Sequence, residues 1–115
     1  MRKLPRDVRF YMNSEGREPV RDWLKELPRV ERRIIGEDIK TVQGLRQWRK
    51  PLVEYLGDGV WEVRATLPNT IARVLFAELG GEMILLHGFK KKTQKTPLDE
   101  LTLAKRRKKN YETNQ

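Results

Sequence analysis

An α+β domain, with a helical hairpin and a C-terminal helix packed on a twisted, mainly antiparallel sheet of four to five strands, is the fold this sequence predicts. Apolar residues recur at helical spacing between Val20 and Val42. Beyond Gly44 the pattern changes to period two. Gly80-Gly81 then separates two apolar runs, a strong signal for a two-residue hairpin loop.

The elements follow in order. Asp7 to Asn13, DVRFYMN, alternates well enough for a short strand with Val8 and Phe10 on one side. Pro19 suits the first turn of a helix whose Val20, Trp23, Leu24 and Leu27 share a face. Pro28 ends that helix and opens the next, which carries Val30, Ile34, Ile35, Ile39 and Val42 before stopping at Gly44. Arg32, Arg33 and Lys40 fall on its solvated side. Pro51 to Leu56 is a strand, Gly57 to Gly59 a turn, and Val60 to Leu67 a strand that alternates Trp61, Val63 and Ala65 against Glu62, Arg64 and Thr66. Ile71 to Leu79 and Glu82 to Phe89 form the Gly80-Gly81 hairpin. A last helix runs from Pro97, with Thr96 before it and Asp99 and Glu100 in its first turn, placing Leu98, Leu101 and Ala104 inward and its basic residues outward.

The 115 residues predict one domain spanning 1–115. The chain has no cysteine and one histidine, His87, which excludes a disulfide framework, a thiolate nucleophile and the usual metal-ligand clusters, so neither metal nor cofactor is expected. No segment resembles a signal peptide or a membrane span, and a cytoplasmic protein is expected. Lys and Arg number 25 against 16 acids, a net charge of +9. Between Lys90 and Lys109 nine basic residues face two acidic ones, so this segment holds most of the excess. Such a charge draws polyanions, nucleic acid foremost.

Two loops suggest where the cations meet. A Gly80-Gly81 loop pairs residues whose numbers sum to 161, setting Leu75 opposite Leu86, Val74 opposite His87, Arg73 opposite Gly88 and Ile71 opposite Lys90. A four-residue loop over Leu67 to Thr70 pairs Arg64 with Arg73. Directly opposed residues project from one face. Arg64, Arg73 and Lys90 would then converge beside a glycine gap open to a ligand, a forked and point-charge set suited to phosphate. In this register His87 falls on the other face and reads as a buried, hydrogen-bonded residue.

GDGVWEVRATLPNTIARVLF, followed by MILLHGFKKKTQKTP and a basic C-terminal helix, resembles the RelE/HigB superfamily of bacterial toxins, and within it the phage-derived, HigB-like branch. The similarity runs from the helical hairpin onward. It implies a RelE-like fold and the toxin of a type II toxin–antitoxin pair, an endoribonuclease acting on mRNA in the ribosomal A site. The implied chemistry is metal-independent attack of a ribose 2′-hydroxyl on the adjacent phosphate. Carried over by position, Arg73 binds the phosphate, Arg64 orients the 2′-hydroxyl, and of Lys90 and Lys91 one protonates the leaving oxygen while the other holds the backbone. Lys92 and Lys95 contact RNA, as do Lys105, Arg106 and Lys108 of the basic helix.

The tyrosine that follows this loop in better-known relatives is replaced by Pro97, and Tyr111 stands too far along to substitute. The implied partners are mRNA on the ribosome, 16S and 23S ribosomal RNA of the A site, and a HigA-like antitoxin carrying a helix-turn-helix. Two other functions are compatible with the charge: a ParE-like, non-catalytic inhibitor of DNA gyrase, or a small nucleic-acid-binding accessory protein. The clustered Arg64, Arg73 and Lys90 to Lys92 favour the nuclease.

Overall fold

Two prolines and a glycine cut the helical stretch where the sequence suggests. In the computed structural model, which describes residues 6–114, α1 is Pro19–Glu26 and α2 is Arg29–Gly44. The single-domain expectation reaches past this range, since 1–5 and 115 lie outside the described residues. The strands are β1 Asp7–Phe10, β2 Val53–Gly57, β3 Val60–Thr66, β4 Ile71–Leu79 and β5 Glu82–Lys90, and the last helix, α3, is Leu98–Thr113. They form one five-stranded sheet in the order β1-β5-β4-β3-β2. Only β1 against β5 is parallel. The α+β architecture is the one the sequence predicts.

Helices cover both faces of the sheet. On one side α1 and α2 bury Val20, Ile35, Ile39 and Val42 against Val63, Val74, Phe76 and Leu85. On the other, Ala104 of α3 packs with Leu75, Ala77, Leu86 and Phe89. Strands β4 and β5 are therefore apolar in both directions, as strands buried on both faces are. Among the described residues no helix is long and apolar enough to cross a membrane.

This double burial hides a bulge. The pairs from Leu79↔Glu82 to Phe76↔Leu85 keep the expected register, but Leu86 is an extra residue and the ladder then slips by one. His87 lies opposite Leu75, Gly88 opposite Val74, Phe89 opposite Arg73 and Lys90 opposite Ala72. All four pairings expected beyond the bulge are thus corrected. With Leu85 in one core and Leu86 in the other, no polar alternation marked the slip.

Each side chain after the bulge changes face. His87 shares the α3 face with Arg73, whereas Lys90 turns to the α2 side. Gly88 leaves no gap for a ligand, because a Cβ there would overlap the indole of Trp23. In α3, Leu98 is 75 % exposed rather than packed inward. The basic residues do not all point outward, since Arg107 Nη1 donates to the Leu86 carbonyl at 2.8 Å.

Candidate active site

The period-two pattern of β3 puts Glu62 and Arg64 on the α3 face, and the pairings Arg64↔Arg73 and Glu54↔Glu62 extend that row across three strands. The expected Arg64–Arg73 juxtaposition is present. Arg73 has no exposed surface, and among the described residues nothing hydrogen-bonds its Nε, Nη1 or Nη2. Burial lowers its pKa from the ordinary guanidinium range; Glu62 opposes this and Arg64 adds to it. A guanidinium still keeps its proton inside proteins, so a whole charge is held here without a fitted partner.

Glu62 is equally buried but fully engaged. It accepts from Arg64 Nε at 2.7 Å and from Thr96 Oγ1 at 2.6 Å. The Thr96 hydroxyl, expected to cap α3, is committed instead to this carboxylate, and the helix has no side-chain cap. Arg64 Nη2 also donates to Glu54 Oε2 at 3.1 Å and to the Gln94 carbonyl at 2.7 Å. These bonds tie the segment between Lys91 and Thr96 to Glu62 and Arg64 of β3. Glu54 further accepts from Lys50 at 2.8 Å, and that bond chiefly holds its pKa below the usual carboxylate value.

His87 stacks on Phe89 and is held at both ring nitrogens. Its Nε2 lies 2.7 Å from Glu100 Oε1, and its Nδ1 lies 3.4 Å from Arg107 Nη1. A donor at Nδ1 makes that nitrogen the acceptor, so the proton sits on Nε2 and is given to Glu100. Of the sequence reading only the hydrogen bonding stands: His87 is partly rather than fully buried, and the one-residue slip puts it on the same face as Arg73 instead of the opposite one. Glu100 also pairs with Lys91 Nζ at 3.4 Å.

The remaining sequence-derived site residues separate into two groups. Lys91, Lys92 and Lys95 lie in the exposed segment beside Arg64. Lys90 instead pairs with Glu31 Oε1 of α2 at 2.9 Å, on the other face from Arg73. Lys105 pairs with Asp58 at 2.9 Å, Lys108 with Glu112 at 3.2 Å, and Arg106 is exposed. Tyr111 lies by Leu79 and Gly80, at the far end of the sheet. Among the described residues no group of three or more metal-ligating side chains is assembled.

Beside Arg64 opens a cleft of about 900 Å³ between α2, the start of β2 and the ends of β3 and β4. Ile34, Pro51, Leu52 and Ile71 form its apolar part, and Asp38, Glu54, Arg64, Gln94 and Lys95 supply polar groups. Residues missed in the sequence are therefore mostly acidic: Glu54, Glu62, Glu100 and Asp38. Glu62 could have been found, since it stands two residues before Arg64 on the same face.

The segment carrying this row is also what the family comparison recognises. The family model described as Phage derived protein Gp49-like (DUF891) matches residues 22–109. The chain belongs to the Gp49-like family. This is a RelE/HigB-like toxin family, associated with the toxins of toxin–antitoxin systems, and an antitoxin is the partner it implies. Among curated proteins none matches the chain significantly. The Gp49-like match takes in α2, all of β2 to β5 and most of α3, and so includes Glu62, Arg64, Arg73 and Lys91.

Proposed function

We propose that this Gp49-like protein is a HigB-like toxin, a single domain over 1–115, that cuts mRNA in the ribosomal A site and so stops translation in the bacterial cytoplasm. One observation carries the reading most: Arg73, fully buried and without a hydrogen-bond partner among the described residues, stands in the row with Arg64. A buried guanidinium with none of its nitrogens hydrogen-bonded is costly even with Glu62 and Glu54 offsetting part of its charge, so stability is a poor reason for keeping it. Phosphate, with two or more negatively charged oxygens in the transition state, is the partner a free guanidinium fits.

The reaction is the attack of a 2′-hydroxyl on the neighbouring phosphorus, giving a cyclic phosphate and a 5′-hydroxyl. The RNA reaches Arg73 when the segment between Lys91 and Thr96 lifts, releasing the Arg64–Gln94 and Thr96–Glu62 bonds. Arg73 then stabilises charge on the phosphorane, and Arg64, steadied by Glu54 and Glu62, orients the 2′-hydroxyl, which gives its proton to solvent water as its oxygen bonds to phosphorus and the bond to the 5′ oxygen breaks. Lys91 protonates the leaving 5′ oxygen. Lys92, Lys95 and the exposed basic residues of α3 hold the RNA backbone and ribosomal RNA. Lys90, on the α2 face, contributes attraction at a distance and does not touch the scissile phosphate. The antitoxin, a helix-turn-helix protein encoded just downstream, neutralises by keeping this basic row from the ribosome.

A reconstituted translation system with an end-labelled message tests this reading. Cleavage within codons is expected with ribosomes and not without them, and Arg73→Met lowers it by about 10²-fold or more. An intact message together with inhibited gyrase supercoiling would replace the proposal with the ParE-like one.

A further inference from the structure

The cleft next to Arg64 is shaped for something other than phosphate. Its five charged side chains, Asp38, Lys50, Glu54, Arg64 and Lys95, nearly cancel, and Glu54 already engages both Lys50 and Arg64. Among the described residues no side-chain hydrogen bond or ion pair engages Asp38, and burial followed by the neighbouring Glu37 raises its pKa above the ordinary carboxylate value. Lys95 carries the other uncommitted charge among the described lining residues. The cleft thus offers a cation at the loop, a carboxylate on α2, and apolar side chains of Pro51, Leu52 and Ile71 between them.

A nucleotide has the complementary order: an anion, a flat apolar ring, and a hydrogen-bonding edge. The geometry points to this cleft as a nucleobase subsite, in which the base next to the scissile phosphate packs on Leu52 and Pro51 while Asp38 accepts from the N1–H and N2–H₂ of guanine. Guanine is the base with two adjacent donors for one carboxylate; adenine, cytosine and uracil lack that adjacent pair. The volume lies within the range of about 300–1,000 Å³ usual for small-ligand sites. The assignment deepens the nuclease reading and rests on it for the source of the nucleotide, but base binding is measurable without cleavage.

Amide chemical shifts followed during titration with 5′-GMP, IMP, AMP and UMP test it. GMP is expected to move the Asp38, Leu52 and Thr66 signals and to bind about tenfold more tightly than IMP, which lacks the 2-amino group, or UMP. That is the discrimination one bidentate pair supplies. Asp38→Asn should erase the GMP–IMP difference while shifts near Lys95 persist. Equal affinity for GMP and IMP in the wild-type protein overturns the assignment, as does a nucleotide response confined to the Lys91–Thr96 segment. A cleft that takes an arginine-bearing peptide and no nucleotide marks a protein-docking site and overturns it too. Guanine binding without any cutting of translated messages would keep the subsite and reject the nuclease, whereas cutting with no base discrimination would do the reverse.

Discussion

Replacing Arg73 by methionine should make this protein more stable and inactive. Methionine fills a similar elongated volume and needs no hydrogen bonds. The arginine it removes is fully buried, with three unpartnered nitrogens, and is repelled by Arg64 directly across the ladder. What is lost is its attraction to Glu62 and Glu54, but Glu62 keeps Arg64 and Thr96, and Glu54 keeps Lys50 and Arg64. No carboxylate is therefore stranded. Exchanging buried charge for well-packed apolar side chains is worth roughly 1–4 kcal/mol when this holds, and we take about 2 kcal/mol. At about 4 °C per kcal/mol for a domain of this size, the Tm rises by about 8 °C. Urea unfolding at constant m gives the free energy, and the translation assay gives the activity. A variant destabilised by about 2 kcal/mol or more would refute the reasoning, because Arg73 would then hold the fold together; so would a variant that still cuts.

Glu62→Gln acts in the opposite direction, weakening the bond to Arg64 and leaving Arg73 less compensated; a loss of roughly 3 kcal/mol is expected. Part of that loss should disappear in the Glu62→Gln/Arg73→Met double variant, with a coupling of about 1 kcal/mol in a double-mutant cycle. Gly88→Ala should cost about 1–3 kcal/mol through its clash with Trp23, and a variant of unchanged stability but lost activity would restore the ligand-gap reading. Thr96→Val, which takes the hydroxyl from buried Glu62, should cost about 1–3 kcal/mol and speed amide exchange between Lys91 and Thr96. Glu54 has a folded pKa below its ordinary 4.5. Its contribution to stability is complete above that value and is lost as pH falls through the folded pKa. Urea midpoints between pH 5 and pH 3 should consequently fall less steeply in Glu54→Gln than in the parent.

Much of the site was legible because polar residues stand out on otherwise apolar strands. The LPNT loop alone gave the Arg64–Arg73 pair, and it is present. Period two placed Glu62 on the same face, yet an acid between two cores reads as an outward residue until Arg64 and Thr96 are seen to satisfy it. The other hairpin was illegible for a physical reason. MILL is apolar on both faces because helices cover both, so inserting Leu86 changes no visible pattern, and every residue beyond it, His87, Gly88 and Lys90 included, is assigned to the wrong face. In α3 the run Lys105 to Lys109 offers no contrast to show that Arg107 turns inward to the Leu86 carbonyl. The Asp38 cleft joins α2 to the sheet end, a contact between elements that no local pattern encodes.

Cutting of messages under translation by the Arg64–Arg73 row would leave its own trace in the RNA of the cell. The most direct measurement is a transcriptome-wide map of 5′ ends in bacteria expressing the protein, with Arg73→Met as the control. New 5′-hydroxyl ends are expected inside translated codons, enriched beside guanine, absent from untranslated RNA, and lost in the variant although it folds. Intact messages alongside arrested growth, or identical ends from the variant, would contradict cutting by this row.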